Sequence, residues 1–238
     1  YCGLADRMIE KKLGGFAMFF NGACGNINLE VGRRSFASAR HYAGLIAQSV
    51  SDVVSKASEP AQEPRLAWRE REVTLGLKSV PPGRDASSDL AAWRRELERI
   101  RATQWREVSA DPNRQDPVFS LYQSYRTTLW KKLLRERCAG NPTETVPLQC
   151  VHLGPLTLVA VPGEMFVEHQ LGLQEQFPKR RVIVVGYANG YVGYIPTRES
   201  LATETYETQA TLMHRVDGDA GARLVASAVE CIRDLPED

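Results

Sequence analysis

The chain predicts an α/β fold, a mixed β-sheet core with surrounding helices, and three observations carry that expectation. Short apolar runs of strand length alternate with longer runs whose apolar residues recur at helical spacing. Val146–Leu153 and Leu156–Val161 flank His152-Leu-Gly-Pro, a hairpin signal. Two apolar strands, one ending at Val161 and one spanning Val182–Val185, run straight into Gly-rich, polar turns. In α/β sheets, ligands bind just past the carboxyl ends of strands. Glu164, Asn189, Tyr191, Tyr194 and Tyr206 therefore form a candidate site.

Residues 4–13 read as a short helix stopped by Gly14-Gly15, and Phe16–Phe20 as a fully apolar strand. Asn21-Gly22-Ala23-Cys24-Gly25-Asn26 is a turn-rich loop. A long helix runs from Ser35 to Ala57, with Ala39, Ala43, Ile46, Val50, Val53 and Val54 on one face, until the proline-containing stretch 59–64 breaks it. Leu66–Leu77 alternates as a half-buried strand. After a loop at 80–84, residues 87–107 form a charged amphipathic helix, 111–117 interrupt it, and Val118–Arg137 form another. The block 78–142 is the expected helical insertion or lid on one α/β domain spanning 1–238. A helix follows at 165–176, a short helix or turn at 198–205, and a closing helix at 220–235 with Ala222, Val225, Ala226, Val229 and Ile232 inward.

A length of 238 residues allows a sizeable core, and 43% hydrophobic with 25% charged residues is ordinary for a globular protein. The net charge of +1 implies no strong electrostatic partner. Segment 65–137 is Arg-rich, but interleaved Glu residues make it an ion-paired helix face, and no nucleic-acid-binding motif accompanies it. No run of 18 apolar residues offers a membrane span. The opening residues read as the middle of a domain, so an N-terminal portion is expected to precede Tyr1. Cys2, Cys24, Cys138, Cys150 and Cys231 form no CxxC pair. Their odd number argues against a complete disulfide framework, while one bridge stays open.

Glu164 follows Val-Pro-Gly at a strand end and opens a helix. Alone it reads first as a helix N-terminal cap, favoured by the dipole. As chemistry it reads as a metal ligand or general base. Gly186-Tyr-Ala-Asn-Gly-Tyr-Val-Gly-Tyr packs three tyrosines among residues that let the backbone approach a ligand closely. His41, His152, His169 and His214 show no HxH or HExxH spacing and read as structural. The GxGxxG, Walker and GxSxG patterns are absent.

Three segments in order resemble the neutral/alkaline ceramidase family in its N-terminal catalytic domain. FFNGACGNINLE resembles its NGxxGDxSPN loop, VPGEMF its strand–Gly-Glu turn, and VVGYANGYVGYIPTRESLATETYE its Tyr-rich motif. The likeness covers residues 1–57 and about 146–235 and implies the C-terminal part of a larger catalytic domain. It implies a zinc-dependent hydrolase of an amide bond, with a small-molecule or lipid substrate, secreted or periplasmic. By position, the glutamate ligand falls on Glu164, the tyrosine ligand on Tyr194, and the substrate-contacting tyrosine on Tyr206. The remaining zinc ligands, two histidines, are expected upstream of Tyr1. The family's serine falls on Asn28, its neighbouring aspartate on Asn26 and its proline on Leu29. Asn28 would then hydrogen-bond substrate. The same substitution makes a non-catalytic relative that binds a lipid or glycan the alternative.

Overall fold

The structure, a computed structural model, describes residues 1–29, 35–57, 65–80, 86–103, 117–203 and 205–236. The expected breaks at 59–64, 81–84 and 111–116 and the helix tail 104–107 lie outside the described residues. The chain divides into two compact units. Unit 1 holds Tyr1–Glu72, Pro147–Tyr191 and Leu224–Asp238; unit 2 holds Val73–Val146 and Val192–Arg223.

Unit 1 opens with helix α1 (Cys2–Leu13), which Gly14 ends at φ 75°, its N–H donating to Glu10 O at 2.8 Å. It packs on α2 (Phe36–Lys56). Ser35 caps α2, its hydroxyl accepting from the Ser38 N–H at 3.1 Å. The buried face of α2 consists of Ala43, Ala47 and Ser51, with the Ser51 hydroxyl donating to Ala47 O. Val53 and Val54, expected inward, are exposed.

Phe16–Phe20 corrects a sequence expectation. It forms no strand, and Phe16, Met18 and Phe20 are 80, 65 and 58% exposed. An apolar run becomes a strand only where a neighbour takes its backbone groups. Here the Ala17 N–H goes to the Glu10 carboxylate at 3.0 Å.

The sheet has the order β1 (Leu66–Gly76), β2 (Thr143–Leu153), β3 (Leu156–Ala160), β5 (Arg181–Val185). β2 and β3 form the expected hairpin, with Leu153 opposite Leu156 and Gly154 at φ 56° in the turn. β3 and β5 run parallel, Leu156 opposite Arg181 through Ala160 opposite Val185, so the sheet is mixed as predicted. Helix α5 (Val167–Gln176) supplies two side-chain acceptors to β5: Gln174 Oε1 takes the Val182 N–H at 2.8 Å and Gln170 Oε1 the Val184 N–H at 2.9 Å. The two glutamines satisfy strand donors that would otherwise invite another chain. The two-residue strand β4 (Glu164–Met165) precedes α5.

The closing helix α6 (Ala220–Arg233) buries Leu224, Ala228, Val229, Cys231 and Ile232, so Val229 and Ile232 lie inward as expected, while Ala222 and Ala226 face solvent. Its inward face is thus only partly the expected one, because Leu224 and Cys231 outweigh two alanines in apolar area. Arg180 donates to Ile232 O and Pro236 O at the helix end, and Arg71 of β1 pairs with Glu230 and Asp234.

In unit 2, α3 (Ala86–Thr103) packs on α4 (Pro117–Gly140), with Trp93 stacked on Tyr125 at 5.4 Å. Residues 205–217 follow the strand β6 (Tyr194–Ile195) and a 3-10 helix (Glu199–Ala202). Leu77 bridges Val216, the Lys78 N–H donates to Arg215 O, and the Leu212 N–H to Trp130 O. Glu144 accepts two hydrogen bonds from Arg215, at 2.6 and 2.7 Å, and pairs with Arg137 at 3.2 Å. No helix among the described residues is long and apolar enough to cross a membrane.

Candidate active site

Three loops of unit 1 converge at the carboxyl ends of β3 and β5. The segment after β3 is Val161-Pro-Gly-Glu164, and the segment after β5 is Gly186 to Tyr191. The Tyr187 N–H donates to Gly163 O at 3.2 Å and the Ala188 N–H to Val161 O at 3.0 Å. The third loop, Asn21–Asn26, joins them through the Gly186 N–H to Asn21 O and the Gly25 N–H to Met165 O, both at 2.9 Å. Gly25 has no room for a side chain: a Cβ there would lie 2.3 Å from Glu164 O.

Glu164 is half-buried and held by tyrosines. The Tyr191 hydroxyl donates to Glu164 Oε1 at 2.5 Å, a short, charge-assisted bond. The Tyr187 ring lies parallel to that of Tyr191, centroids 5.8 Å apart. The Tyr187 hydroxyl hydrogen-bonds Glu164 and Cys24. Burial first, then those hydrogen bonds, pushes the Tyr187 phenol well above its ordinary range. Burial also raises the Cys24 thiol, with the Glu164 charge adding to it and the Tyr187 hydrogen bond opposing, so Cys24 is a neutral thiol here.

The capping role expected first for Glu164 belongs elsewhere. Helix α5 starts three residues later, and its Val167 N–H donates to Asn26 Oδ1 at 2.9 Å. Asn26 Nδ2 in turn donates to both carboxylate oxygens of Glu168. An asparagine from a distant loop therefore caps the helix, and Glu164 is left for the tyrosines.

In unit 2, Tyr194, Tyr206 and His214 form a ring cluster. The His214 centroid lies 4.8 Å from that of Tyr194 and 4.9 Å from that of Tyr206, and the two tyrosine rings are 5.9 Å apart, all edge-to-face. Gly193, at φ 90°, permits this: a Cβ there would overlap the backbone of Met213. His214 is 3% exposed and Tyr206 52%.

A search of protein-family models finds no match. Residue-by-residue comparison does find relatives. The chain is 34% identical over 97 residues to the neutral ceramidase of Mycobacterium tuberculosis, covering 38% of this chain and 15% of that protein. It also superposes over its whole length on the crystal structure of neutral ceramidase from Pseudomonas aeruginosa, with a TM-score of 0.58 at 19% identity, covering 41% of that chain. The chain is neutral-ceramidase-like. The Pseudomonas aeruginosa neutral ceramidase sequence is 36% identical over 79 residues, 30% of this chain and 12% of its own. A solved ceramidase complexed with C2 gives a TM-score of 0.59 at 17% identity, covering 100% of this chain and 43% of its own. This chain thus spans about two-fifths of the solved ceramidase chains, and its matches cover under a sixth of each curated ceramidase. The mixed α/β architecture is the one those structures share.

Within this ceramidase-like fold, Glu164 sits in unit 1 with Tyr187 and Tyr191, while Tyr194 and Tyr206 sit together in unit 2. Asn28 is exposed on the loop after Asn26, and Asn189 is exposed at φ 62°, its amide 3.5 Å from Gln149 Oε1. Sequence reasoning missed three partners. Cys24 was visible only as a residue inside the Gly-rich loop, Tyr187 as one of three tyrosines, and His214 gave no local signal because it reaches Tyr194 across 20 positions of chain.

Proposed function

We propose that this chain acts as a hydrolase of an amide bond of the neutral ceramidase type, with an N-acylated lipid such as ceramide as substrate and zinc as cofactor. The observation that carries the reading is the Glu164 carboxylate. It lies at a strand end, on a backbone clamped by two other loops, with a 2.5 Å hydrogen bond from Tyr191. Such support fixes a carboxylate before any ligand arrives, as groups behind metal ligands do.

The residues fit zinc in part. Glu164 and Tyr194 offer hard oxygen donors, and a bound cation favours a deprotonated phenol. Among the described residues, however, no three His, Cys, Asp or Glu side chains gather as a metal-holding group. Glu164 and Tyr194 are thus proposed as part of the ligand set. Zinc, when bound, supplies an activated water near neutral pH and polarises a carbonyl. The chain's own part is to orient the carboxylate through Tyr187 and Tyr191, and to present the exposed Tyr206 hydroxyl as a donor to the reacting carbonyl oxygen. Asn28 is assigned a substrate hydrogen bond where the family carries serine.

The second reading is a ceramidase-like protein that binds a lipid or glycan without turnover. It is favoured by Asn28 at the serine position and by the incomplete donor set among the described residues.

The test is fatty-acid release from N-acylsphingosine by the full chain supplied with zinc. Glu164→Ala should abolish release and lower bound zinc, and Tyr191→Phe should reduce release by roughly 10–100-fold. Undiminished release by Glu164→Ala sinks the first reading. Binding of the substrate with zinc held and no release establishes the second.

A further inference from the structure

The amino ends of β3 and β5 carry a second feature of unit 1, at the opposite end of the same two strands from Glu164. A cleft of about 690 Å³ opens there, beside the first residues of both strands, Leu156 and Arg181. Leu156, Pro178 and Ile183 give it apolar walls, and Lys179, Arg180 and Arg181 line it together. Its lining holds no carboxylate among the described residues, and none of the three cations forms an ion pair among them. Arg180 is fixed by neutral partners, donating to Ile232 O at 3.3 Å and Pro236 O at 2.7 Å, so no carboxylate cancels its charge. Lys179 and Arg181 are exposed. The turn that presents these cations is tied down by hydrogen bonds. Gln174 Nε2 donates to Phe177 O at 3.1 Å and to Arg180 O at 2.8 Å, while its Oε1 takes the Val182 N–H. The Arg180 N–H donates to Phe177 O and the Arg181 N–H to Pro155 O. One glutamine thus spans both sides of the turn, and a turn already fixed loses little freedom when a ligand arrives.

We infer that this cleft binds a phosphate ester. Cations lining one concave surface focus their field on an anion inside it, and three of them suit an anion with more than one charge. Lys179 and Arg181 donate charge-assisted hydrogen bonds to the phosphate oxygens, Arg181 through a planar fork that matches two of them, and Arg180 adds its field from the cleft wall. The apolar walls take the carbon part of the ester. A bare inorganic ion leaves most of 690 Å³ empty, whereas clefts of this order hold small organic ligands. A soluble phosphate ester and the headgroup of an anionic phospholipid offer the same chemistry. The inference rests on the cleft alone and is independent of the zinc and amide chemistry proposed for Glu164.

The experiment titrates the full chain with glycerol phosphate in a calorimeter. In a second arm it sediments the chain with phosphatidylcholine vesicles, with and without phosphatidylglycerol, both arms at low ionic strength. The double variant Lys179→Ala, Arg181→Ala is compared with Lys131→Ala, Lys132→Ala, which removes the same charge from α4 of unit 2. Lys179 and Arg181 are exposed, so their removal leaves the core intact. The cleft variant should bind at least about tenfold more weakly, and the α4 variant should bind as the parent does. Glycerol phosphate binding that is lost in the cleft variant identifies a soluble ester. Binding to phosphatidylglycerol vesicles alone, lost in the same variant, identifies the headgroup. No binding to either probe, binding that survives in the cleft variant, or an equal loss in the α4 variant would each overturn the site.

Discussion

Replacing Gly25 by alanine probes how tightly the Asn21–Asn26 loop grips the Glu164 backbone. The added Cβ would meet Glu164 O at 2.3 Å, Phe166 Cδ1 at 2.7 Å and Glu164 C at 3.0 Å. Two of these are main-chain atoms, which cannot swing aside as a side-chain tip can. Relief requires the loop to retreat by about 1 Å, since carbon contacts settle near 3.5 Å. That retreat weakens the Gly25 N–H bond to Met165 O. Overpacking costs about 1–3 kcal/mol and the lost hydrogen bond about 1 kcal/mol. Alanine's stiffer unfolded chain returns about 0.5 kcal/mol. The net loss is about 2.5 kcal/mol, or roughly 7 °C in Tm for a chain of this size. Gly22→Ala on the same loop is the control. Its Cβ would sit 3.7 Å from Val184 O, an ordinary contact, so stability should be unchanged or slightly higher. Urea unfolding followed by tryptophan fluorescence measures both. Gly25→Ala within about 0.5 kcal/mol of the parent would refute the clamp, because experimental scatter alone is of that size.

Two charged groups of unit 2 give pH-dependent expectations. Burial lowers the Lys78 amine to about 8, against an opposing pull from Asp217, while its Nζ donates to Thr208 O at 3.0 Å. Below about pH 8 both folded and unfolded chains hold this proton and the folded chain bears the desolvation cost. Between about 8 and 10.5 the folded chain releases it first, so this group's contribution to stability rises with pH. Lys78→Met should therefore raise stability at pH 7 by about 2 kcal/mol after loss of the Thr208 bond, and the gain should vanish near pH 10.5, by urea unfolding at both pH values. Glu144 has the opposite sign. The Arg215 hydrogen bond, helped by the Arg215 and Arg137 charges and opposed by burial, holds its carboxyl below the usual range. That stabilisation is present above about pH 4.5 and is lost as pH falls through the depressed value. Glu144→Gln should cost about 1–2 kcal/mol at pH 7, since the pair is only part-buried, and the difference should shrink in acid unfolding.

The parts of the fold legible in the sequence are those whose pattern is local. The β2–β3 hairpin, with Gly154-Pro155 at its turn, needs only neighbouring residues, and the register follows. Helices α1 and α2 carry their own stop and cap signals, Gly14 and Ser35. What was misread depends on distant partners. Phe16–Phe20 has strand composition but no ladder among the described residues. α6 buries Val229 and Ile232 as expected but turns Leu224 and Cys231 inward in place of Ala222 and Ala226. Glu164 looked like a cap because its neighbours start a helix, while the cap arrives from Asn26, 141 positions earlier than the Val167 N–H it satisfies. The ring cluster of unit 2 was half visible for the same reason. Two tyrosines stood in one motif, and His214 entered only through folding.

The Tyr-rich turn shows how backbone cost and site geometry are linked. Tyr187 and Asn189 stand at φ 57° and 62°, where side-chain-bearing residues are uncommon. Each such position costs about 1–3 kcal/mol and persists only where its surroundings over-determine it. For Tyr187 those surroundings can be named. Its N–H is bound by Gly163 O, the next N–H by Val161 O, and its hydroxyl by Glu164 and Cys24. Its ring lies parallel to Tyr191, which grips the same carboxylate. A turn that served only to reverse the chain would place glycine at position 187, since glycine reaches this φ without cost. Tyrosine at that position is explained by what its hydroxyl holds, and that is the carboxyl group on which the proposed chemistry depends.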